Sequence, residues 1–146
     1  MFKVKKIINN NKWKHEFDEE IVLDHLERNR RRICLKTKKK ITFLIDEKKT
    51  VFLCDGALLI LSNNYKIKVK AQNEEVLKIQ SSNKKRLLVL AWHIGNRHIP
   101  AEIHKDYILI KRDEVIAKML KLLGAKVLKK KLSFSPELGA YHKHEV

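Results

Sequence analysis

Cysteine is scarce in this 146-residue chain: only Cys34 and Cys54 are present, with no CxxC pair. Each lies inside a strand-like stretch, which excludes a disulfide framework and fits a reduced compartment. Long apolar runs are missing as well. The longest, Leu87 to Trp92, has six residues, against the roughly 20 that a membrane-crossing helix requires. Met1 to Asn11 alternates apolar residues with lysines, as a first strand does, and lacks the apolar segment of a signal peptide. A soluble cytoplasmic protein without a membrane partner is expected. Aromatic residues make up 7% of the chain, which leaves few platforms for stacking bases, and the candidate central strands carry no RNA-recognition aromatic signature. Neither His-Glu-x-x-His nor a comparable ligand cluster with a general base occurs, so a metal hydrolase is disfavoured and no enzymatic activity is expected.

What the chain has in excess is positive charge. Thirty-three Lys and Arg against 17 Asp and Glu give a net charge of +16, with clusters at Arg30 to Arg32, Lys38 to Lys40 and Lys129 to Lys131. Lysines also occupy the polar positions of the expected strands, so most of this charge reads as solvated surface rather than a dedicated nucleic-acid face. Apolar residues at 44% suffice for a core.

The rhythm of the chain changes near residue 72. Before it, short alternating segments recur at Ile33 to Leu35, Ile41 to Ile45, Val51 to Leu53, Ala57 to Leu61 and Tyr65 to Val69. Turn signals separate them at Asp46-Glu47-Lys48, Asp55-Gly56 and Ser62-Asn63-Asn64, which is the pattern of a small antiparallel β domain. The charged segment Asp24 to Arg32 fits either a loop or a short helical turn. After residue 72, strand and helix patterns alternate. Glu75 to Gln80 reads as a strand, Ser81-Ser82-Asn83 offers an N-cap, and a helix follows from Lys84 to about Arg97, stopped before Pro100. Ala101 to Ile103 and Tyr107 to Lys111 form an expected hairpin. Asp113 caps a second helix that ends at Gly124, and Val127 to Phe134 closes the series. The fold class is α+β in two domains: residues 1–72 an antiparallel β domain, residues 73–141 a ferredoxin-like βαββαβ domain, and residues 142–146 a short flexible tail.

The most informative stretch is Trp92-His93-Ile94-Gly95-Asn96-Arg97-His98 at the end of the first helix. At about 100° per residue, the step from His93 to His98 turns roughly 140°, so the two imidazoles leave the helix on different faces and do not chelate one ion together. His98 is expected to extend the apolar row Leu87, Ala91 (or Leu90), Ile94. His93 is expected on a more polar side, near Val89 and Arg97. Gly95 costs about 1 kcal/mol in a helix interior, a cost understood if another backbone approaches there. A plain structural account also holds for His98, as a cationic residue favoured at a helix C-terminus.

These seven residues resemble the signature of the urease accessory protein UreE family, whose core is Gly-Asn-Arg-His. The resemblance continues along the chain. Asp24-His25-Leu26-Glu27-Arg28 with Arg30 to Arg32, Leu53-Cys54-Asp55-Gly56, Asp113-Glu114-Val115 with Met119-Leu120 and Leu123-Gly124, and Phe134 to Tyr141 are similar to family segments in the same order. The resemblance implies a nickel metallochaperone for urease maturation, with an N-terminal domain of partner-binding type and a C-terminal metal-binding domain. It also implies a homodimer in which His98 of each subunit faces the other across a two-fold axis, with Gly95, Asn96 and Arg97 at the interface. Partners implied are the urease apoprotein complex and the urease GTPase UreG. Symmetry would turn one imidazole per chain into two, a loose hold suited to an ion that is passed on. Imidazole also accepts Cu(II) and Zn(II), so nickel is assigned by family and not by ligand type.

His142 and His144, in the last five residues, are further candidate ligands that could swing toward His98, and His93 is a weaker one. Where some family members have histidines around the aspartate opening the second helix, this chain has Arg112-Asp113-Glu114, so a second metal site is not expected there. His15, His25 and His104 lack partners at ligand spacing and read as ordinary surface residues. The competing reading is a basic RNA-binding module with a ferredoxin-like domain.

Overall fold

A computed structural model describes residues 1–139. The chain divides into two compact units, the first Met1–Gln72 and the second beginning at Asn73. Among the described residues, no helix is long and apolar enough to cross a membrane.

The first unit is all strand: β1 Phe2–Ile8, β2 Glu19–Leu23, β3 Asn29–Lys36, β4 Thr42–Phe52, β5 Leu58–Leu61 and β6 Lys66–Ala71, joined in the order β2-β6-β5-β1-β4-β3. Strand β1 bridges two halves, pairing in parallel with β4 through Phe2 and Lys3 and antiparallel with β5 from Val4 to Ile8. The sheet is therefore mixed, not antiparallel as expected, because β2 and β6 also run parallel, Ile21 beside Val69. Phe43, Ile45, Leu59, Leu61, Ile67 and Val69 are completely or almost completely buried in one cluster, each such side chain contributing roughly 1.5–3 kcal/mol on burial.

Two further departures have local causes. The turn expected at Asp46-Glu47-Lys48 is not a hairpin turn, since β4 runs unbroken from Thr42 to Phe52. The signal is expressed as an irregularity in the ladder: Arg30 pairs with Val51 and Arg32 with Asp46, so Glu47 to Thr50 stand opposite Arg31 alone. The segment after β2 is the helical turn of the two alternatives. Asp24 Oδ1 accepts from Glu27 N (2.8 Å) and Glu27 Oε1 from Asp24 N (3.1 Å), a reciprocal pair of caps. It delivers Arg28 into the interior, fully buried, with Nη1 donating to Leu53 O at 3.2 Å and the guanidinium 5.2 Å from the Phe52 ring centre.

The second unit follows the order β7 Asn73–Gln80, α1 Lys84–Asn96, β8 Ala101–Ile103, β9 Tyr107–Lys111, α2 Glu114–Leu122 and β10 Lys126–Ser133. Its four strands are arranged β10-β7-β9-β8, every neighbour antiparallel. Alternation sorts the side chains to two faces. Leu77, Ile79, Ile108 and Ile110 meet Leu90 and Ile94 of α1 and Ala117 and Leu120 of α2 in one core, so both helices cover the same face. On the opposite face Val76 and Leu109 pack against Phe134, which lies just beyond β10 and is fully buried.

Candidate metal centre

Helix α1 begins at Asn83, whose side chain accepts from Arg86 N at 3.1 Å, and buries Leu90 and Ile94. Leu87 and Ala91 pack partly against the same core. The helix ends at Asn96, with Arg97 as the C-cap, as the sequence suggests. The chain then closes on itself: His98 N donates to Gly95 O (3.0 Å) and Ile99 N to Ile94 O (3.3 Å). These are the two bonds of a Schellman cap, with the accompanying apolar pair Ile94 and Ile99 in the core. The motif puts His98 in the left-handed region at φ 56°.

His98 consequently does not continue the row Leu87, Ala91, Ile94. That row is turned inward against the sheet, and Ile99 completes it, while His98 is exposed beyond the helix. The reason is the left-handed backbone, which reverses the direction of the next side chain. A residue with a Cβ holds this conformation at a cost of roughly 1–2 kcal/mol, although histidine is among the residues enriched there. Helix α2 ends with the same cap built on glycine: Gly124 at φ 91° donates to Lys121 O (3.0 Å), and Ala125 N donates to Leu120 O (3.0 Å).

The outward side of α1 is unusual. Leu88 and Trp92, one turn apart, are 72% and 64% exposed. Gly95 follows on the same side, where a Cβ would meet no atom of the chain within 4 Å. No intrachain packing therefore accounts for the glycine. Asn96 and Arg97 follow it, both exposed. The His93 ring is half-buried and stands edge-on to the Trp92 ring, centres 5.0 Å apart. His93 and His98 are thus not brought together as a chelating pair.

The other histidines differ in kind. His15 is exposed with its ring 6.2 Å from that of Trp13, and His25 is half-buried in the turn after β2. His104 is not the unpartnered surface residue expected from spacing. It hydrogen-bonds the Glu102 carboxylate and stacks on Tyr107, ring centres 4.3 Å apart. Glu102 lies two residues before it in β8, and Tyr107 across the hairpin turn at the start of β9. The other oxygen of Glu102 accepts from Ser135 N at 2.6 Å. His142 and His144 lie outside the described residues.

At the second helix, Asp113 is an N-cap, accepting from Val115 N and Ile116 N. Glu114 is held by Arg112 Nε (3.0 Å) and Lys129 Nζ (3.6 Å), and chiefly the Arg112 hydrogen bond keeps its carboxyl below the usual carboxylate range. Both carboxylates are engaged by their own chain. Among the described residues, no three His, Cys, Asp or Glu side chains converge as a metal cage. One chain thus presents at the α1 terminus a single exposed imidazole, beside an exposed apolar strip and a glycine with open space above it.

Comparison with known proteins bears on that arrangement. Residues 74–146 match the family described as "UreE urease accessory protein, C-terminal domain". The chain is 44% identical over 133 residues to a urease accessory protein UreE from Chelativorans sp. (strain BNC1), covering 91% of this chain and 84% of that protein. It is 43% identical over 124 residues to one from Rhizobium meliloti (strain 1021), with 85% and 80% covered. A third, from Bradyrhizobium sp. (strain ORS 278), is 36% identical over 141 residues, with 97% and 67% covered.

Proposed function

The chain belongs to the urease accessory protein UreE family, and we propose that it carries Ni(II) for urease metallocentre assembly at a site shared by two copies, with His98 of each supplying an imidazole. The observation that carries the reading is the exposed, left-handed His98 at the end of a helix whose outward side holds exposed Leu88 and Trp92 and the open Gly95. One imidazole holds a divalent ion only weakly. A two-fold axis makes a facing patch self-complementary and doubles the ligand. Covering Leu88 and Trp92 is worth roughly 1.5–3 kcal/mol for a side chain of this size, and Gly95 admits the second backbone closely.

Two nitrogens grip nickel loosely, as a carrier requires, and His142 and His144 of the tail add ligands. His93 is a weaker contributor. Cu(II) and Zn(II) compete for the same donors in vitro. The second unit, with strand order β10-β7-β9-β8 and both helices on one face, is of the ferredoxin-like type. The first is the partner-binding domain, separated from the second near residue 72. The +16 charge favours acidic surfaces on the urease apoprotein complex and its GTPase UreG. The chain acts stoichiometrically in the cytoplasm and catalyses nothing. An RNA-binding role is opposed by the aromatics of the helix-free sheet face: Phe134 is buried there, and Tyr107 is stacked by His104 with Lys78 Nζ 4.5 Å from its ring centre.

Calorimetric nickel titration tests the reading. The natural chain should bind about one Ni(II) per two chains, and His98→Ala should lose that event. Undiminished binding in the variant would overturn the assignment.

A further inference from the structure

In the first unit, Ile67 and Val69 of β6 are buried in the core, so Lys68 and Lys70 stand on the outer face of the strand. Leu58, the partner of Lys68 on β5, shares that outer face and is nonetheless completely buried. The segment between β1 and β2 folds back over this face. Asn9 Oδ1 accepts from Cys54 N at 2.9 Å, and Trp13 Nε1 donates to Gly56 O at 2.8 Å. The fit is tight enough that a Cβ at Gly56 would stand 2.7 Å from the Asn11 Cβ. Further along the segment, the Phe17 ring centre lies 5.5 Å from Lys68 Nζ. Between segment and strands a cleft of about 520 Å³ stays open, within the roughly 300–1,000 Å³ of binding pockets.

We propose that this cleft takes an acidic segment of a partner protein, with carboxylates on Lys68 and Lys70 and a neighbouring apolar side chain against Trp13 and Phe17. This rests on the reading of the first unit as the partner-binding domain and gives that role a site. The two walls differ in chemistry. On one, the Trp13 and Phe17 rings meet edge to face, centres 6.0 Å apart, with Phe17 40% exposed. On the other, Lys68 and Lys70 lie two residues apart on one strand face, about 7 Å along the strand, and neither makes an ion pair among the described residues. The carboxylates nearby do not satisfy them. Asp55 Oδ1 accepts from Ala71 N at 2.8 Å, and Glu20 stands opposite Lys68 in the β2–β6 ladder without pairing to it. Burial of the apolar side chain supplies affinity, and the two ammoniums select the sign of its neighbours. Because the indole is pinned at Gly56 O, the aromatic corner is formed before the partner arrives, which lowers the ordering cost of binding. The cleft is open along one side. That suits one or two side chains of a longer segment, whereas a small ligand needs most of its surface enclosed.

The test titrates the blocked hexapeptide Asp-Glu-Phe-Leu-Glu-Asp into the full chain and follows tryptophan emission, in which Trp13 reports the cleft. Saturable binding with a Kd below about 1 mM is expected. Lys68→Glu with Lys70→Glu should weaken it about ten-fold, and Phe17→Ala about five-fold. Glu20→Gln removes the opposing charge and should tighten binding about two-fold. A peptide with lysine in place of its four acidic residues should bind at least about ten-fold more weakly. No saturable binding, equal affinity for the lysine peptide, or an affinity unmoved by the Lys68 and Lys70 changes overturns the proposal. Should the double variant not fold, Lys70→Glu alone, at an exposed position, should cost about three-fold, and unchanged affinity there is contrary. Hydrogen exchange of the full chain with and without the urease apoprotein complex separates the cleft from the reading beneath it. Slowed exchange in residues 11–20 and 68–70 is expected. Protection elsewhere in residues 1–72 that spares those segments overturns the cleft alone, and no protection anywhere in residues 1–72 overturns the partner-binding reading with it.

Discussion

His98 and Gly124 stand at the same position of the same helix-ending motif, each left-handed, each donating its N–H to the carbonyl three residues back, at 3.0 Å in both cases. One helix uses the residue that adopts this backbone freely. The other uses a side chain that does not.

Replacing His98 by glycine should therefore raise stability by about 0.5–1 kcal/mol, several degrees in thermal midpoint, while removing nickel binding. Gly124→Ala should lower stability by roughly 1–2 kcal/mol with nickel binding kept. Thermal unfolding alongside calorimetry checks both, and a destabilised His98→Gly would mean that the imidazole serves the fold and not a ligand.

Under the shared-site proposal, Leu88→Glu with Trp92→Glu should leave the chain monomeric in sedimentation where the natural chain is a dimer, with helicity unchanged, since both side chains are mostly exposed in a single chain. An unaffected dimer would place the interface elsewhere.

Gly95→Ala meets no intrachain atom, so it should stabilise the isolated helix by about 1 kcal/mol and weaken dimerisation. Chemical unfolding of the monomeric Leu88/Trp92 variant, with and without the substitution, isolates the first effect; sedimentation of the otherwise natural chain gives the second.

In the first unit, Tyr65 Oη donates to Glu19 Oε2 at 2.6 Å, and this bond to a carboxylate pushes the phenol from 10.0 up to about 12. The folded state thus holds the proton more tightly than the unfolded chain. Its stabilising contribution is complete below pH 10 and is lost as pH rises toward about 12. The phenolate absorbance of the folded protein should include one late-titrating tyrosine, absent in Tyr65→Phe.

Much of this arrangement was legible in the sequence. The period-2 and period-3.6 patterns placed the strands and helices of the second unit, and Asn83 and Asp113 announced both helix starts. What failed was non-local or conformational. Strand β2, with Glu19 turned inward to Tyr65, disguises its alternation, and its parallel partner β6 lies far along the chain. The left-handed turn at His98 is imposed by Ile99 seeking Ile94, a packing demand that a helical wheel cannot express. The motif drew attention to His98, but only the backbone reversal explains why it faces outward while Leu87, Ala91 and Ile94 face the core. Nothing in the charged segment Asp24 to Arg32 distinguishes Arg28 from its neighbours, although its guanidinium lies over Phe52 and reaches the Leu53 carbonyl.

Native mass spectrometry of the nickel-loaded chain addresses the shared site most directly. The expected species is a dimer carrying one Ni(II), with the metal lost when His98→Ala replaces both chains. A monomer that retains one Ni(II), or a dimer loaded equally well without His98, would contradict it.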